Sequence, residues 1–288
     1  MEIKSLEKVN SKDILNVFNA SFSDYFVPFK LTEEQLMSKM RADKIDLTLS
    51  VGVFENQRLI AFILHGFDII DNQKVAYNGG TGVIPEKRGS GLTKKMYEAC
   101  LPILEQKGID IIFLEVITQN IQAIRSYEKI GFKTTRTLGC FKGNFKPIKS
   151  YQIADIKEQD LYEWNLMESF WDINPTWQNS KNVLNRSKLE NDSFGAYIDN
   201  QLVAYVIYNS KSRRIQQIAV HKEYRKRGIG TKLISELAKK HGNWFSIINV
   251  DKKAKNVTNF FNLSGFENYI DQIEMELKLS KNSSKYIV

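Results

Sequence analysis

Two stretches of this 288-residue chain carry residue types at a spacing suited to holding a phosphate. The first reads Val83-Ile84-Pro85-Glu86-Lys87-Arg88-Gly89-Ser90-Gly91-Leu92-Thr93. An apolar run, Val75 to Tyr77, precedes it, and a helical pattern (Leu92, Met96, Tyr97, Cys100, Leu101) follows. Glycine permits turns barred to other residues and lets a ligand approach the backbone closely. A helix start adds free N–H groups and the positive end of the helix dipole. Arg88 and Lys87 add cationic charge. The second stretch, Val220-His221-Lys222-Glu223-Tyr224-Arg225-Lys226-Arg227-Gly228-Ile229-Gly230-Thr231, again sits between an apolar run and a helical pattern. Neither glycine spacing is that of a dinucleotide fold or a P-loop. The chemistry implied is a pyrophosphate cradle, present twice.

The elements that must position these cradles follow from periodicity and punctuation. In the first half the sequence predicts a strand over 2–9 and a helix over 11–26, broken by Pro28. A second helix starts at the capping-box sequence Thr32-Glu33-Glu34-Gln35. Strands are predicted near 47–54 and 59–67, joined by a turn at 55–58, and a third near 74–83 enters the cradle. The cradle helix runs to about Lys107, before Gly108. A strand over 109–117, a helix over 120–130 and a strand over 133–142 complete the half, with 143–147 read as a linker. The second half repeats the order: strand 150–155, helix 158–170, short helix 176–188, strands 194–198, 202–208 and 213–220. The cradle, helix 228–241, strand 245–250, helix 255–263 and strand 267–279 follow. The tail from Ser280 is polar.

Three pairs of positions support an internal duplication: Arg88 and Gly91 with Arg225 and Gly228, Gly131-Phe132 with Gly265-Phe266, and Ser21-Phe22-Ser23-Asp24 with Ser169-Phe170-Trp171-Asp172. The division read from the repeat is 1–145 and 146–288. The net charge of +8 is spread among 33 acidic residues, which fits a basic surface that attracts anionic small molecules rather than a nucleic-acid partner. Two cysteines, Cys100 and Cys140, make no metal motif or disulfide framework. The three histidines are scattered and no metal is expected. No signal region or membrane-length apolar run is seen, so a cytoplasmic location and no membrane partner are expected.

Val83 to Leu92 (Val-x-Pro-x-x-Arg-Gly-x-Gly-Leu), followed by Asn120, Ala123, Tyr127, Gly131 and Phe132, resembles the GNAT superfamily of acyl-CoA-dependent N-acyltransferases. The second half resembles another such module, so the whole is similar to a tandem GNAT protein. The resemblance implies an α+β fold in each half: a mixed, mostly antiparallel sheet with flanking helices, whose strands before and after the cradle helix splay apart. It implies acetyl-CoA in that opening, held by Val83, Ile84, Pro85, Arg88, Gly89, Ser90, Gly91, Leu92, Thr93 and Asn120. In the second half the matching set is Val220, Arg225, Lys226, Arg227, Gly228, Ile229 and Gly230. It further implies direct attack by a primary amine, a backbone N–H near Val83 facing the carbonyl oxygen, and Tyr127 as proton donor to the leaving thiolate. For the general base, the candidates are Glu115, Asp24, Tyr25, and Asn78 through a water. Asp24, Tyr25 and Asn78 are also candidates for binding the acceptor, a small-molecule amine.

The halves differ. Aligned on Gly-Phe, Asn120, Ala123 and Tyr127 become Ala254, Val257 and Phe261, and phenylalanine has no hydroxyl to give. The first half is therefore expected to be catalytic; for the second the readings are a degenerate module, one that binds coenzyme A without turnover, or one that shapes the acceptor pocket. Against this, Thr93 stands where the family has a small residue and the second half has Gly230. The alternatives are a non-catalytic CoA-sensing or interaction module, and transfer to a protein or peptide amine. A monomer or homodimer is expected.

Overall fold

The computed structural model describes residues 1–27, 30–148 and 154–279. The chain forms two compact units. Unit 1 is Met1–Thr135 together with the segment from Ile273 onward, and unit 2 is Arg136–Gln272.

In unit 1 the elements are β1 (Glu2–Ser5), α1 (Ser11–Ser21), α2 (Glu33–Ala42), β2 (Val51–Glu55), β3 (Arg58–Ile70), β4 (Gln73–Val83), α3 (Leu92–Gln106), β5 (Ile111–Ile117) and α4 (Ile121–Ile130). Unit 2 carries β6 (Lys133–Asn144) from Arg136 on, then β7 (Asp155–Glu158), α5 (Trp164–Glu168), α6 (Lys181–Arg186), β8 (Asn191–Ile198), β9 (Gln201–Asn209), β10 (Arg214–Val220), α7 (Ile229–His241), β11 (Trp244–Asp251) and α8 (Lys255–Leu263). The last strand, β12 (Glu267–Lys278), enters unit 1 at Ile273.

Strand order in unit 1 is β1-β2-β3-β4-β5-β12, and in unit 2 it is β6-β11-β10-β9-β8-β7. The pairings β1/β2, β2/β3, β3/β4, β7/β8, β8/β9, β9/β10 and β6/β11 are antiparallel; β4/β5 and β10/β11 are parallel. The division by packing therefore differs from the division at 145 read from the repeat. The final strand of each sequence half is completed in the other half's unit. Met275, on β12, is wholly buried among Met96, Tyr97 and Cys100 of α3, an anchor that holds this strand in unit 1.

Alternation along β3 sends its side chains to two cores. Phe62 and Leu64 pack with Ile14 and Phe18 of α1 and Leu36 of α2, while Ala61 and Ile63 pack under α3. Unit 2 repeats the arrangement, with Leu233, Ile234 and Leu237 of α7 on one face of its sheet and Phe170 and Leu184 on the other. Tight hairpins form at Asn56-Gln57, Asp71-Asn72 and Asp199-Asn200, all with positive φ at both residues, the geometry that matches strand twist. Thr32 and Gln35 form the expected capping box of α2.

Some elements end elsewhere than periodicity predicts. Helix α1 stops at Ser21 rather than 26 because the Arg88 guanidinium takes the Ser21 carbonyl at 2.9 Å; a cation there satisfies an open carbonyl and suits the helix dipole. The helix predicted over 158–170 is only the five residues of α5, and its end is met in the same way by Arg225 on the Phe170 carbonyl. Residues 143–144 are strand, not linker. A Cβ on Gly143 would lie 2.5 Å from the Gly265 carbonyl oxygen, so glycine permits that close approach. The strand predicted at 150–155 and the break at Pro28 fall largely outside the described residues, as does the tail from Ser280.

Candidate active site

Strands β4 and β5 pair only over Val75–Tyr77 with Ile111–Phe113 and then part. In unit 2, β10 and β11 share the single pair Arg214 with Ser246. Both openings lie beside a cradle. In unit 1 Pro85–Lys87 form one 3-10 turn, Gly89 and Gly91 have φ of +75° and +73°, and Gly91 caps the N-terminus of α3. A Cβ added to either glycine would meet nothing within 4 Å, so the space above these amides is open. Unit 2 makes the same turn with Lys226 at φ +60° and Gly228 at +79°. Lysine is thus held in a conformation that costs an L-residue about 1 kcal/mol.

The arginines in the two cradles are engaged within the protein. Arg88 donates to both Asp24 carboxylate oxygens at 2.7 Å, and through Nε to the Val83 carbonyl at 3.3 Å. Its guanidinium holds the Asp24 carboxyl below the usual range. Arg225 repeats the set with Asp172 at 2.8 Å and the Val220 carbonyl at 2.9 Å. Lys87 pairs with Glu55 at 2.6 Å. The cradles therefore present amides and a helix end, while Arg88 and Asp24 lock the end of α1 to the exit of β4. Ser90 turns its hydroxyl back to the Lys87 carbonyl.

The backbone at the opening carries a free donor. The Ile84 N–H bonds the Ile60 carbonyl at 3.1 Å. That makes Val83 and Ala61 a pair without mutual hydrogen bonds, and the Val83 N–H points away from β3 toward the gap. Val220, opposite Ala204, is placed alike by the His221 N–H bond to the Val203 carbonyl.

Tyr127 reaches the gap of unit 1 from the α3 side. It is 8% exposed, and burial pushes its hydroxyl up to about 12, with hydrogen bonds to Thr81 and Asn78 opposing the rise. Asn78 donates to Thr81 Oγ1 at 2.8 Å and Tyr97 Oη at 2.7 Å, while its own Oδ1 accepts from the Gly80 N–H. The rings of Tyr97 and Phe132 stack edge-on against Tyr127. Asn120 caps α4 by accepting from the Ala123 N–H and hydrogen-bonds Tyr25, itself close enough to Tyr127 to disfavour its ionisation. Of the predicted residues, Tyr25, Asn78, Asn120 and Tyr127 thus converge. Tyr97 and Thr81 were not anticipated, since a buried helix tyrosine reads as core.

Glu115 stands on the other face. It lies on β5 just beyond the last β4/β5 pair and accepts from the Tyr77 hydroxyl at 2.6 Å. Burial raises its carboxyl to about 7; the Tyr77 hydrogen bond and Lys39 oppose this, and the charges of Glu274 and Asp43 add to it. Lys39 is paired with Asp43 at 2.5 Å. These neighbours come from α2, β4 and β12, and nothing local in the sequence links them to Glu115. Tyr77 and Asn78 are consecutive, so their side chains leave β4 on opposite faces. The gap is therefore flanked by a hydroxyl on one face and a carboxyl near neutrality on the other.

Unit 2 has neither group: Phe261 replaces Tyr127, and Asn249 stands at the position of Glu115 when the halves are aligned on Gly-Phe. It does keep a cleft of about 500 Å³. Gly230 fits closely there, since a Cβ would lie 3.2 Å from the Phe260 ring, which would have to shift by a few tenths of an ångström. At the matching position of unit 1, Thr93 is half-buried on the first turn of α3. His65 is fully buried with Nδ1 on the Leu49 carbonyl, and burial lowers it to about 4. No cluster able to hold a metal occurs among the described residues, and no helix among them is long and apolar enough to cross a membrane.

The acetyltransferase (GNAT) family profile matches twice, over residues 13–132 and 153–266. The chain belongs to this family. It is a GNAT acetyltransferase, an acyl-CoA N-acyltransferase built of two tandem segments. Among solved structures it is similar to an acetyltransferase from Pyrococcus horikoshii (TM-score 0.71, 14% identity, 98% of this chain and 91% of that one). It is similar also to a GCN5-related N-acetyltransferase from Sphaerobacter thermophilus (TM-score 0.72, 12% identity, 96% and 95%). A tandem GNAT protein from the clavulanic acid biosynthesis pathway matches as well (TM-score 0.72, 12% identity, 96% and 98%). At these identities the likeness concerns the fold. No curated protein matches the sequence.

Proposed function

We propose that unit 1 of this GNAT acetyltransferase transfers an acetyl group from acetyl-CoA to the primary amine of a small molecule. The observation that carries this reading is the asymmetry of the two openings. Tyr127 and Glu115 flank the gap of unit 1, and Phe261 and Asn249 take their places in unit 2. The open amides of Gly89 and Gly91, with the start of α3, fit a pyrophosphate. Acetyl-CoA supplies the activated acyl thioester. Glu115, poised near neutrality, takes the proton that the attacking ammonium must lose. The Val83 N–H faces the carbonyl oxygen as charge develops on it. The Tyr127 hydroxyl gives its proton to the departing sulfur, the Asn78 and Thr81 hydrogen bonds stabilise the phenolate left behind, and the phenolate takes back the second proton that the new amide nitrogen must lose. Asp24 is the Arg88 partner on this reading, not the base.

The test is a panel of small primary amines with free-thiol detection. Wild type is expected to release thiol with some of them, and Tyr127→Phe to lose roughly 10²-fold or more in kcat while acetyl-CoA affinity is kept. A variant as fast as wild type at every pH would refute the assignment of the acid.

A further inference from the structure

Unit 2 has lost both groups proposed for proton transfer, and the change extends to the groups that support them. Strand registers give the equivalences. Val83 pairs with Ala61 and Val220 with Ala204, and counting back along each strand one bulged residue is skipped, Gly79 in β4 and Gln216 in β10. Thr81 and Asn78 therefore correspond to Ile218 and Ile215. Tyr97, in the helix capped by Gly91, corresponds to Ile234 in the helix capped by Gly228. Tyr25 follows the arginine-bound Asp24, and Ile173 follows Asp172. With Phe261 in place of Tyr127, the hydrogen-bonding side chains of the unit 1 opening are hydrocarbon in unit 2.

These apolar side chains have not closed the gap. The cleft of about 500 Å³ is in the range of small-molecule sites. It passes through the opening between β10 and β11, for its walls come from both sides of the sheet: Phe260 and Phe261 on one, Phe170 and Tyr205 on the other. Ile173, Ile218, Val257 and Phe260 line it and are only partly buried, so hydrocarbon surface is left in contact with water. Covering such surface with an apolar ligand is favourable. The polar residues of the lining offer little in exchange. The side-chain oxygens of Asn179, Gln216 and Asn249 carry no accessible surface, and Gln217 is taken by the Tyr205 hydroxyl at 2.8 Å and the Asn179 carbonyl at 2.6 Å.

The cradle at one end of the cleft also differs from that of unit 1. Lys87 is paired with Glu55 at 2.6 Å. Lys222, Lys226 and Arg227 are exposed and have no ion-pair partner among the described residues. Gly230 removes the side chain that Thr93 places on the first turn of α3. Free cations beside a helix N-terminus favour a phosphate. A ligand suited to the cradle and the cleft together is an amphiphile, with phosphates joined to a hydrocarbon chain. Acyl-CoA, the donor class of this family, joins the two in one molecule.

We propose that unit 2 is a second, non-catalytic site, for the CoA thioester of an aliphatic acyl chain longer than acetyl. The cradle cations and amides hold its phosphates, and the chain lies along Ile173, Ile215, Ile218 and Phe261. With Phe261 and Asn249 at the two proton-transfer positions, the thioester is held and not converted. The proposal shares the cradle reading of unit 1 and does not depend on Tyr127 or Glu115.

The experiment is titration calorimetry on the full chain carrying Gly91→Val, which blocks the unit 1 cradle, with octanoyl-CoA, acetyl-CoA, octanoate and farnesyl diphosphate as probes. Octanoyl-CoA is expected to bind at least about 10-fold more tightly than acetyl-CoA, the gain from burying about two of its additional methylenes. Octanoate, which lacks the phosphates, and farnesyl diphosphate, which lacks the nucleotide and the pantetheine arm, should each bind at least about 10-fold more weakly than octanoyl-CoA. Ile218→Thr and Val257→Thr put a hydroxyl into the apolar wall with little change of shape. Made in the wild-type chain, each should reduce the preference for octanoyl-CoA over acetyl-CoA several-fold. They lie on β10 and α8, so one decides the matter if the other fails to fold, and neither needs Gly91→Val to fold. With a panel of amines, Gly91→Val should release no thiol from octanoyl-CoA. Equal or tighter binding of acetyl-CoA, octanoate or farnesyl diphosphate, an unchanged preference in the threonine variants, or thiol release from octanoyl-CoA would each overturn the proposal. Acetyl transfer by wild type tests unit 1 separately, so failure of one reading is distinguishable from failure of the other.

Discussion

Replacing Glu115 with glutamine separates its proton from its shape. In the folded chain the carboxyl is raised from 4.5 to about 7, chiefly by burial. The fold therefore favours the protonated form. The stability this contributes is fully present below pH 4.5 and is lost as pH rises through about 7. Taken whole, the shift corresponds to on the order of 3 kcal/mol. Because Glu115 keeps part of its surface in solvent, about 1–3 kcal/mol is the expected range. Glutamine keeps an acceptor for the Tyr77 hydroxyl, which now lies 2.6 Å from Glu115 Oε2, and never ionises. Urea unfolding of wild type and Glu115→Gln at pH 4 and pH 8 measures the effect. The two should be similar at pH 4, and the variant should be the more stable at pH 8. Turnover should move the other way, with loss of kcat and of the limb that falls off below pH 7. A stability difference that stays constant across this range would show that Glu115 is not held protonated by its surroundings, and would remove the reason for assigning it as the base.

Tyr97→Phe should lower kcat several-fold in wild type and have little further effect in a Tyr127→Phe background, since its hydroxyl reaches Tyr127 through Asn78. An equal loss in both backgrounds, read as a double-mutant cycle, would make Tyr97 merely structural. Gly91→Val should weaken acetyl-CoA binding at least about 10-fold, since φ +73° is strained for valine and the side chain would fill the open space over the amides; calorimetry reads this directly. Arg88→Lys should leave the fold intact but speed hydrogen exchange at Phe22 and Tyr25, because lysine cannot make the bidentate pair with Asp24 while also taking the Ser21 carbonyl. Unchanged exchange there would contradict the clamp.

Much of the site was legible because it is local. Gly89 and Gly91 needed a positive φ that glycine supplies, and the helix after them follows from Leu92, Met96 and Cys100 at helical spacing. Tyr127 is placed by its position before Gly131-Phe132, which sets where α4 ends. The internal partners of Arg88 are not local. Sequence shows a cation beside a cradle, and only the fold brings Asp24 and the Ser21 carbonyl to it. The repeat had nevertheless marked both partners, for Asp172 and Arg225 recur at matching positions and form the same pair. Helix α1 was drawn too long for the same reason, because the apolar spacing continues through Phe22 and Phe26 while a side chain from β4's exit ends the helix.

The sequence by itself determined the two modules, the order of elements within each, the cradles and the difference between Tyr127 and Phe261. These depend on backbone conformation, periodicity and residue identity, all of which act over a few neighbours. Tertiary structure alone decided that β12 closes unit 1, that Val83 turns its N–H to the gap, and that Glu115 titrates near neutrality. The last depends first on burial, with the charges of Glu274 and Asp43 adding to it and the Tyr77 hydrogen bond opposing it, all brought together from separate elements. A carboxyl's proton affinity is set by the water and charge around it in space, and that environment exists only once distant strands and helices have packed.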